Sequence, residues 1–237
     1  MPSTRARSSS RIAAKSPANK VDTKKSKGVD NCSVNEVLLY YPNLIGYLRV
    51  IFMLLSLYYG RRDWTICVAC YCIAFGGDVV DGFVARAFDQ CSSYGGILDM
   101  VTDRISTAGF LCMLSSLQPQ YSFYFSLLAV LDIASHWFHI ASVSGAGHKN
   151  EETLRNRNPI LKWYYSIYIL FGYCCVSAEF FYIFLYIHHY TNNDLIYQIA
   201  IYGCMPGCIL KNFINIVQMC SACYALAEHD AEMKNKK

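Results

Sequence analysis

Charge is scarce in this 237-residue chain. Asp, Glu, Lys and Arg together make up 16% of it, against roughly 25% in an ordinary soluble domain. That shortfall argues against a soluble globular protein, and more strongly against a disordered one. The chain also lacks any apolar run close behind its first basic residues, so it does not open on a cleaved signal peptide. No groove-reading nucleic-acid motif follows the basic segment. Cys67-x-x-Cys70 has no second Cys or His pair at zinc spacing nearby. Most of the 12 cysteines lie inside apolar runs, where a free thiol behaves as a small hydrophobe.

What is present is hydrophobic: 54% apolar residues and 15% aromatic. The charge that exists is unevenly spread. Eight basic residues precede position 28 (Arg5, Arg7, Arg11, Lys15, Lys20, Lys24, Lys25 and Lys27) and account for most of the +4 net charge. Residues 1–37 therefore read as a disordered basic cytosolic tail, suited to anionic headgroups or plain solvation. Residues 1–20 share the Arg- and Ser-rich, acid-free composition of a transit peptide but have no apolar helical face. Asn31-Cys32-Ser33 fits a glycosylation acceptor, which matters only for a luminal tail.

From residue 38 the chain is a succession of long apolar stretches. Leu38–Gly60 holds one charge, Arg49; Trp163–Tyr190 holds one, Glu179; Leu195–Ala227 holds one, Lys211. A spanning helix needs about 20 mostly apolar residues. The pattern predicts an all-α polytopic membrane protein with six spans, near 40–59, 64–86, 95–117, 121–144, 161–188 and 199–225. Residues 38–228 form its membrane domain and 229–237 a polar C-terminal tail. Six spans leave both termini on one side. The basic tail, Lys234, Lys236 and Lys237 and the long loop with Lys149, Arg155 and Arg157 favour the cytosol. Arg61 and Arg62 count against that orientation. With the termini inside, the connection at 87–94 faces the cytosol.

The second and third spans meet in the stretch DVVDGFVARAFDQCSSYGGILDMVTD. Asp78 and Asp81 are three residues apart, and Asp99 and Asp103 four. Both spacings place side chains on one helix face. A short connection makes the two helices antiparallel neighbours, so four carboxylates can converge just inside the membrane. Each Asp at a helix centre costs about 2.5–3.5 kcal/mol on insertion scales, and four together repel. A hard divalent cation on oxygen ligands, Mg²⁺ or Mn²⁺, is the simplest compensation. Two such ions balance four carboxylates and still attract an anion. Gly82, Gly95 and Gly96 let a bulky group approach the backbone. Arg86 supplies a donor fork suited to phosphate oxygens, and Ser92 and Ser93 can donate hydrogen bonds. Together these features describe a diphosphate site.

The pattern Asp78-x2-Asp81-Gly82-x2-Ala85-Arg86-x8-Gly95-x3-Asp99-x3-Asp103 resembles the complete signature of the CDP-alcohol phosphatidyltransferase family. Flanking segments are similar to the family's eukaryotic inositol-using members: YPNLIGYLR at 41–49, LDMVTDRIST at 98–107, LDIASHW at 131–137, and Asn158-Pro159 with Tyr164-Tyr165. The likeness covers roughly residues 38–228. It implies a six-helix bundle, usually a homodimer, with its site on the cytosolic face of the endoplasmic reticulum membrane; Golgi and mitochondrion are the other locations. The implied reaction moves the phosphatidyl group of CDP-diacylglycerol to myo-inositol and releases CMP. By the same likeness Asp78, Asp81, Asp99 and Asp103 hold the ions, Gly82, Arg86 and Ser92 contact the CDP-lipid, and Asp103 is the general base. No nucleic-acid partner is implied.

Other polar residues lie within the spans. Asp132 and His136, four apart with His139 close by, either line the acceptor pocket or satisfy each other. Glu179 and Lys211 are expected to pair as structural glue. Arg104, His148, Lys149, Arg155 and Asn158 are the candidates for holding inositol hydroxyls. Two alternatives stand beside this reading. One is the same family with serine, glycerol 3-phosphate or a choline-type acceptor. The other is a cation transporter, against which stand the missing repeat symmetry and the position of the acids near one membrane face.

Overall fold

A computed structural model describes residues 33–145 and 158–236. The basic residues before position 28, the sequon at 31–33 apart from Ser33, and the loop candidates His148, Lys149 and Arg155 lie outside the described residues.

The described residues contain α1 (Val34–Leu38), α2 (Tyr41–Tyr59), α3 (Trp64–Ala87), α4 (Ser93–Leu117) and α5 (Ser122–Gly145), with a 3₁₀ turn at Pro119–Tyr121. After the undescribed loop come α6 (Pro159–Ser166), α7 (Tyr168–Thr191), α8 (Asp194–Gln198), a π turn at Ile199–Cys204, and α9 (Met205–Asn235). Start signals explain most beginnings. Pro42 and Pro159 stand in the first turns of α2 and α6, where the missing N–H costs nothing. Asp63, Ser92, Asn158 and Asn193 cap α3, α4, α6 and α8 by accepting backbone N–H bonds, which satisfies donors that the helix itself leaves orphaned. Asn192 ends α7 at φ 49°, a left-handed conformation that Asn tolerates.

The Asp63 cap is pH-sensitive. The Thr65 hydroxyl, then the backbone N–H groups of Ile66 and Thr65, all donate to its Oδ1 and hold its pKa below the ordinary carboxylate value. A group whose folded pKa is depressed stabilises above its unfolded value and loses that contribution as pH falls through the folded one. Asp63→Ala should therefore lower the melting temperature at pH 7. The gap from wild type should close in thermal scans taken at progressively lower pH below the ordinary carboxylate range.

Among the described residues, five helices are long and apolar enough to cross a membrane: Tyr41–Tyr59, Trp64–Ala87, Pro119–Val143, Tyr168–Thr191 and Asp194–Asn235. Two expectations change. The third expected span is helix α4, 25 residues long, but Asp99, Asp103 and Arg104 in its first half leave it outside that set. The fifth, expected over 161–188, is broken at Ile167 (φ −100°, ψ 83°) into α6 and α7. No proline or glycine marks the break. Buried Leu161 and Tyr164 seat α6 against Cys174 of α7 and Ile214 of α9, and Ile167 gives way to allow it. The polar segment 229–237 continues α9 as helix up to Asn235.

The exterior is apolar and the interior holds the polar groups. On α2, Leu44, Leu48, Ile51, Leu54 and Leu55 are exposed, while Asn43, Arg49 and Ser56 are buried. That inversion suits lipid, which solvates Leu but not Arg. Helix α2 packs on α3 and α4, α4 on α5, and α9 on both α5 and α7. An aromatic core of Tyr71, Phe110, Tyr182 and Tyr186 joins α3, α4 and α7. Tyr186 and Tyr190 of α7 both donate to the Gly60 carbonyl, each at 2.9 Å, so the end of α2 is satisfied by another helix. All described cysteines are free thiols; Cys67, Cys70, Cys174, Cys204 and Cys208 are buried as small core residues, while Cys72, Cys91, Cys112 and Cys220 are exposed.

Candidate active site

The predicted helix faces do meet. Asp78 and Asp81 come from the second half of α3, Asp99 and Asp103 from the first half of α4. All four carboxylates converge on one residue that the spacing did not point to, Arg49 of α2. Its Nη1 donates to Asp81 Oδ2 at 2.5 Å and to Asp99 Oδ1 at 2.7 Å. Its Nη2 donates to Asp103 Oδ1 at 2.5 Å and lies 3.3 Å from Asp78 Oδ1. Its Nε donates to the Ala74 carbonyl at 3.2 Å. Arg49 is 3% exposed. The signal was in the sequence: it is the only charge in the first apolar stretch, and an intramembrane ionisable residue is functional by default.

The site fits a hard divalent cation. Asp78, Asp99 and Asp103 each offer an oxygen, and these atoms lie within 4.8 Å of one another. The donor set is all carboxylate, as Mg²⁺ and Mn²⁺ prefer. Four carboxylates around one guanidinium leave three formal negative charges crowded together, and like charges at that range repel. Asp81 stands slightly apart, more deeply buried and tied to Arg49.

Beside the acids opens a cavity of about 240 Å³, lined by Asn43, Asp81, Gly82, Ser92, Gly95 and Asp99 among others. It runs from the acid cluster to the α3–α4 connection. A Cβ at Gly95 would come within 2.9 Å of Asn43 Oδ1, so glycine lets α4 meet α2 closely at the cavity wall. Arg86, exposed at the end of α3, turns back over Gly82; its guanidinium would lie 3.6 Å from a Cβ there. Arg86 stands at the rim, outside the lining. Ser92 Oγ accepts from the Gly95 N–H at 3.0 Å, which leaves its own O–H to donate. Of the expected lipid-contact residues, Gly82 and Ser92 line the cavity, and Arg86 stands beside Gly82.

A second polar network lies deeper. Arg104 Nη1 donates to both oxygens of Asp132, at 2.8 and 3.0 Å, and its Nη2 lies 3.4 Å from Asp103 Oδ2. Lys211 lies 3.9 Å from Asp132 and 3.7 Å from Glu179. Tyr71 and Thr107 donate to Glu179 at 2.7 and 2.9 Å, and Asn215 to Asp132 at 3.3 Å. The Glu179–Lys211 pair is therefore present, inside a larger network. Asp132 and His136 are not each other's main partners. His136 Nδ1 donates to the Asp132 backbone carbonyl at 2.8 Å and its Nε2 accepts from Arg104 at 3.3 Å, while the Asp132 carboxylate is taken by Arg104. Two cations and two carboxylates make this network formally neutral, and Arg104 links it to Asp103 of the four-aspartate site. Among the described residues, Arg104 Nε is buried without a hydrogen-bond partner.

The profile of the CDP-alcohol phosphatidyltransferase family matches residues 39–193, which contain all four aspartates and Arg49. The CDP-diacylglycerol–inositol 3-phosphatidyltransferase of Saccharomyces cerevisiae is 34% identical over 209 residues, covering 88% of this chain and 95% of that one. The Candida albicans protein of that name is 34% identical over 208 residues, covering 86% and 89%. The Homo sapiens protein is 31% identical over 207 residues, covering 85% and 97%. No solved structure matches.

Proposed function

This chain belongs to the CDP-alcohol phosphatidyltransferase family, and from that premise we propose that it is a phosphatidylinositol synthase. It transfers the phosphatidyl group of CDP-diacylglycerol to myo-inositol and releases CMP. The observation that carries the reading is the convergence of four carboxylates beside a glycine-walled cavity, in a chain with 31–34% identity to inositol phosphatidyltransferases along most of its length.

Each residue of the site has its own part. Gly82 and Gly95 keep side chains out of the cavity so that the diphosphate can reach the acids. Arg86 and the Ser92 hydroxyl at its mouth donate to phosphate oxygens. Asp78, Asp81, Asp99 and Asp103 hold divalent ions, Mg²⁺ or Mn²⁺. When bound, the ions neutralise the diphosphate and the charge that grows on the leaving CMP. An inositol hydroxyl oxygen bonds to the phosphorus that carries diacylglycerol, the bridging P–O bond to CMP breaks, and Asp103 accepts the hydroxyl proton. An alcohol needs such a base because it must lose its proton as it attacks. The family resemblance assigns that role to Asp103, whose side chain is 32% exposed and so open to an acceptor.

Apolar outward faces on the spanning helices keep the acyl chains in lipid while nucleotide and inositol arrive from water. The eight basic residues before position 28 and the positive-inside tendency support a cytosolic face, and family practice supports the endoplasmic reticulum and a homodimer. The test is CMP release by the purified protein with CDP-diacylglycerol and Mg²⁺ or Mn²⁺, with myo-inositol, serine or glycerol 3-phosphate added singly. Release that depends on inositol is expected. Release with serine or glycerol 3-phosphate in its place would keep the family and overturn the acceptor.

A further inference from the structure

We infer that Arg49 is the resident counter-ion of the acid site: it holds the four carboxylates together before ions bind and then shares them with the ions. The inference rests on the metal reading of those carboxylates given above.

Arg49 is built into its position. Its stem runs along α3 at Gly77, where a Cβ would come within 2.7 Å of Arg49 Cγ. Glycine at 77 therefore leaves a lane for the side chain. The Nε bond to Ala74 aims the guanidinium. Its two terminal nitrogens then divide the acids, Asp81 and Asp99 on one, Asp78 and Asp103 on the other. Each nitrogen thus bridges one acid of α3 and one of α4. A planar fork with fixed donors does this; a single ammonium has no matching geometry.

Two consequences follow from charge. Without Arg49, four carboxylates from two helices face one another with only Arg104, 3.4 Å from Asp103, beside them, and the helices lose the group that draws them together. With it, three negative charges remain for ions to answer. Arg49 therefore stabilises the ion-free protein and weakens ion binding, since a fixed positive charge beside a cation repels it. Ions and Arg49 are partial substitutes for each other. By linkage, a protein lacking Arg49 must gain more stability from ions than wild type does.

The test uses full-length protein purified in detergent with Mn²⁺ and then chelated. Free Mn²⁺ is followed by electron paramagnetic resonance during titration, and melting temperature is recorded in chelator and at saturating Mn²⁺. Arg49→Gln should melt lower than wild type in chelator, gain more on Mn²⁺ addition, and bind Mn²⁺ about tenfold more tightly or better. Unfolding of this variant on chelation, where wild type survives, is the same result in a stronger form. Arg49→Lys keeps the charge and loses the fork; it should bind Mn²⁺ within about threefold of wild type and lose stability in chelator. If Arg49→Gln does not fold even with Mn²⁺, the Lys variant decides: stability in chelator equal to wild type overturns the inference. So does an Arg49→Gln variant that binds Mn²⁺ no more tightly than wild type. A wild type that neither binds Mn²⁺ nor is stabilised by it overturns the metal reading, and this inference with it.

Discussion

Asp103→Asn should lower inositol-dependent CMP release by about 10²–10⁴-fold, the range that a positioned general base contributes. The substitution is nearly isosteric. Its amide oxygen can still accept from Arg49, so the bundle should remain folded. What it loses is the ability to take a proton from the acceptor hydroxyl. Asp103 also belongs to the trio that could hold an ion, so a loss of activity has two possible origins. They separate in two measurements. A base defect lowers kcat and leaves Mn²⁺ binding close to wild type. A ligand defect weakens Mn²⁺ binding, and raising Mn²⁺ recovers part of the activity. Release by Asp103→Asn at the wild-type rate would remove Asp103 from the role of base.

Lys211→Met should be among the most destabilising single changes outside the acid site, by about 3–5 kcal/mol, the cost of breaking a buried ion pair. Lys211 sits between Asp132 and Glu179, all three buried. Removing the ammonium leaves two buried carboxylates with one guanidinium, which is bonded to Asp132. Methionine keeps most of the volume, so the loss is one of charge and not of packing. Glu179→Gln restores the balance of charge in the Lys211→Met background, and its amide oxygen can still accept from Tyr71 or Thr107. The double variant should therefore melt closer to wild type than Lys211→Met alone. Thermal unfolding in detergent of the two singles and the double gives the coupling directly. Additive losses would mean that Lys211 and Glu179 do not share an ion pair.

Much of this site could be read along the chain because helical geometry is local. Residues three or four apart share a face whatever the helix packs against. That is enough to place Asp78 with Asp81 and Asp99 with Asp103, and a five-residue connection brings the two faces together. Arg49 was harder. It stands 29 residues before Asp78, on a helix whose rotation about its axis is set by packing. Nothing local shows that its stem would lie along Gly77. The choice between the two readings of Asp132 and His136 was tertiary for a related reason: an i,i+4 spacing offers a partner, but Nη1 of Arg104 on α4 reaches both carboxylate oxygens, and a charged donor outcompetes a neutral imidazole for a buried carboxylate. The break at Ile167 is also tertiary, made by the seating of Leu161 and Tyr164 against other helices and without a local breaker.

The sequence by itself determined the membrane class, the boundaries of most spans, and the two acidic faces with their glycines, because each depends on composition or on contacts within a few residues. Only the tertiary structure decided which cation lies among the acids, which carboxylate Arg104 holds, and where the aromatic span divides. Those depend on which helices touch and how each is rotated. In an apolar solvent that rotation is governed by buried charges finding partners across the bundle, since any left unpaired costs more than a helix gains by turning it toward lipid.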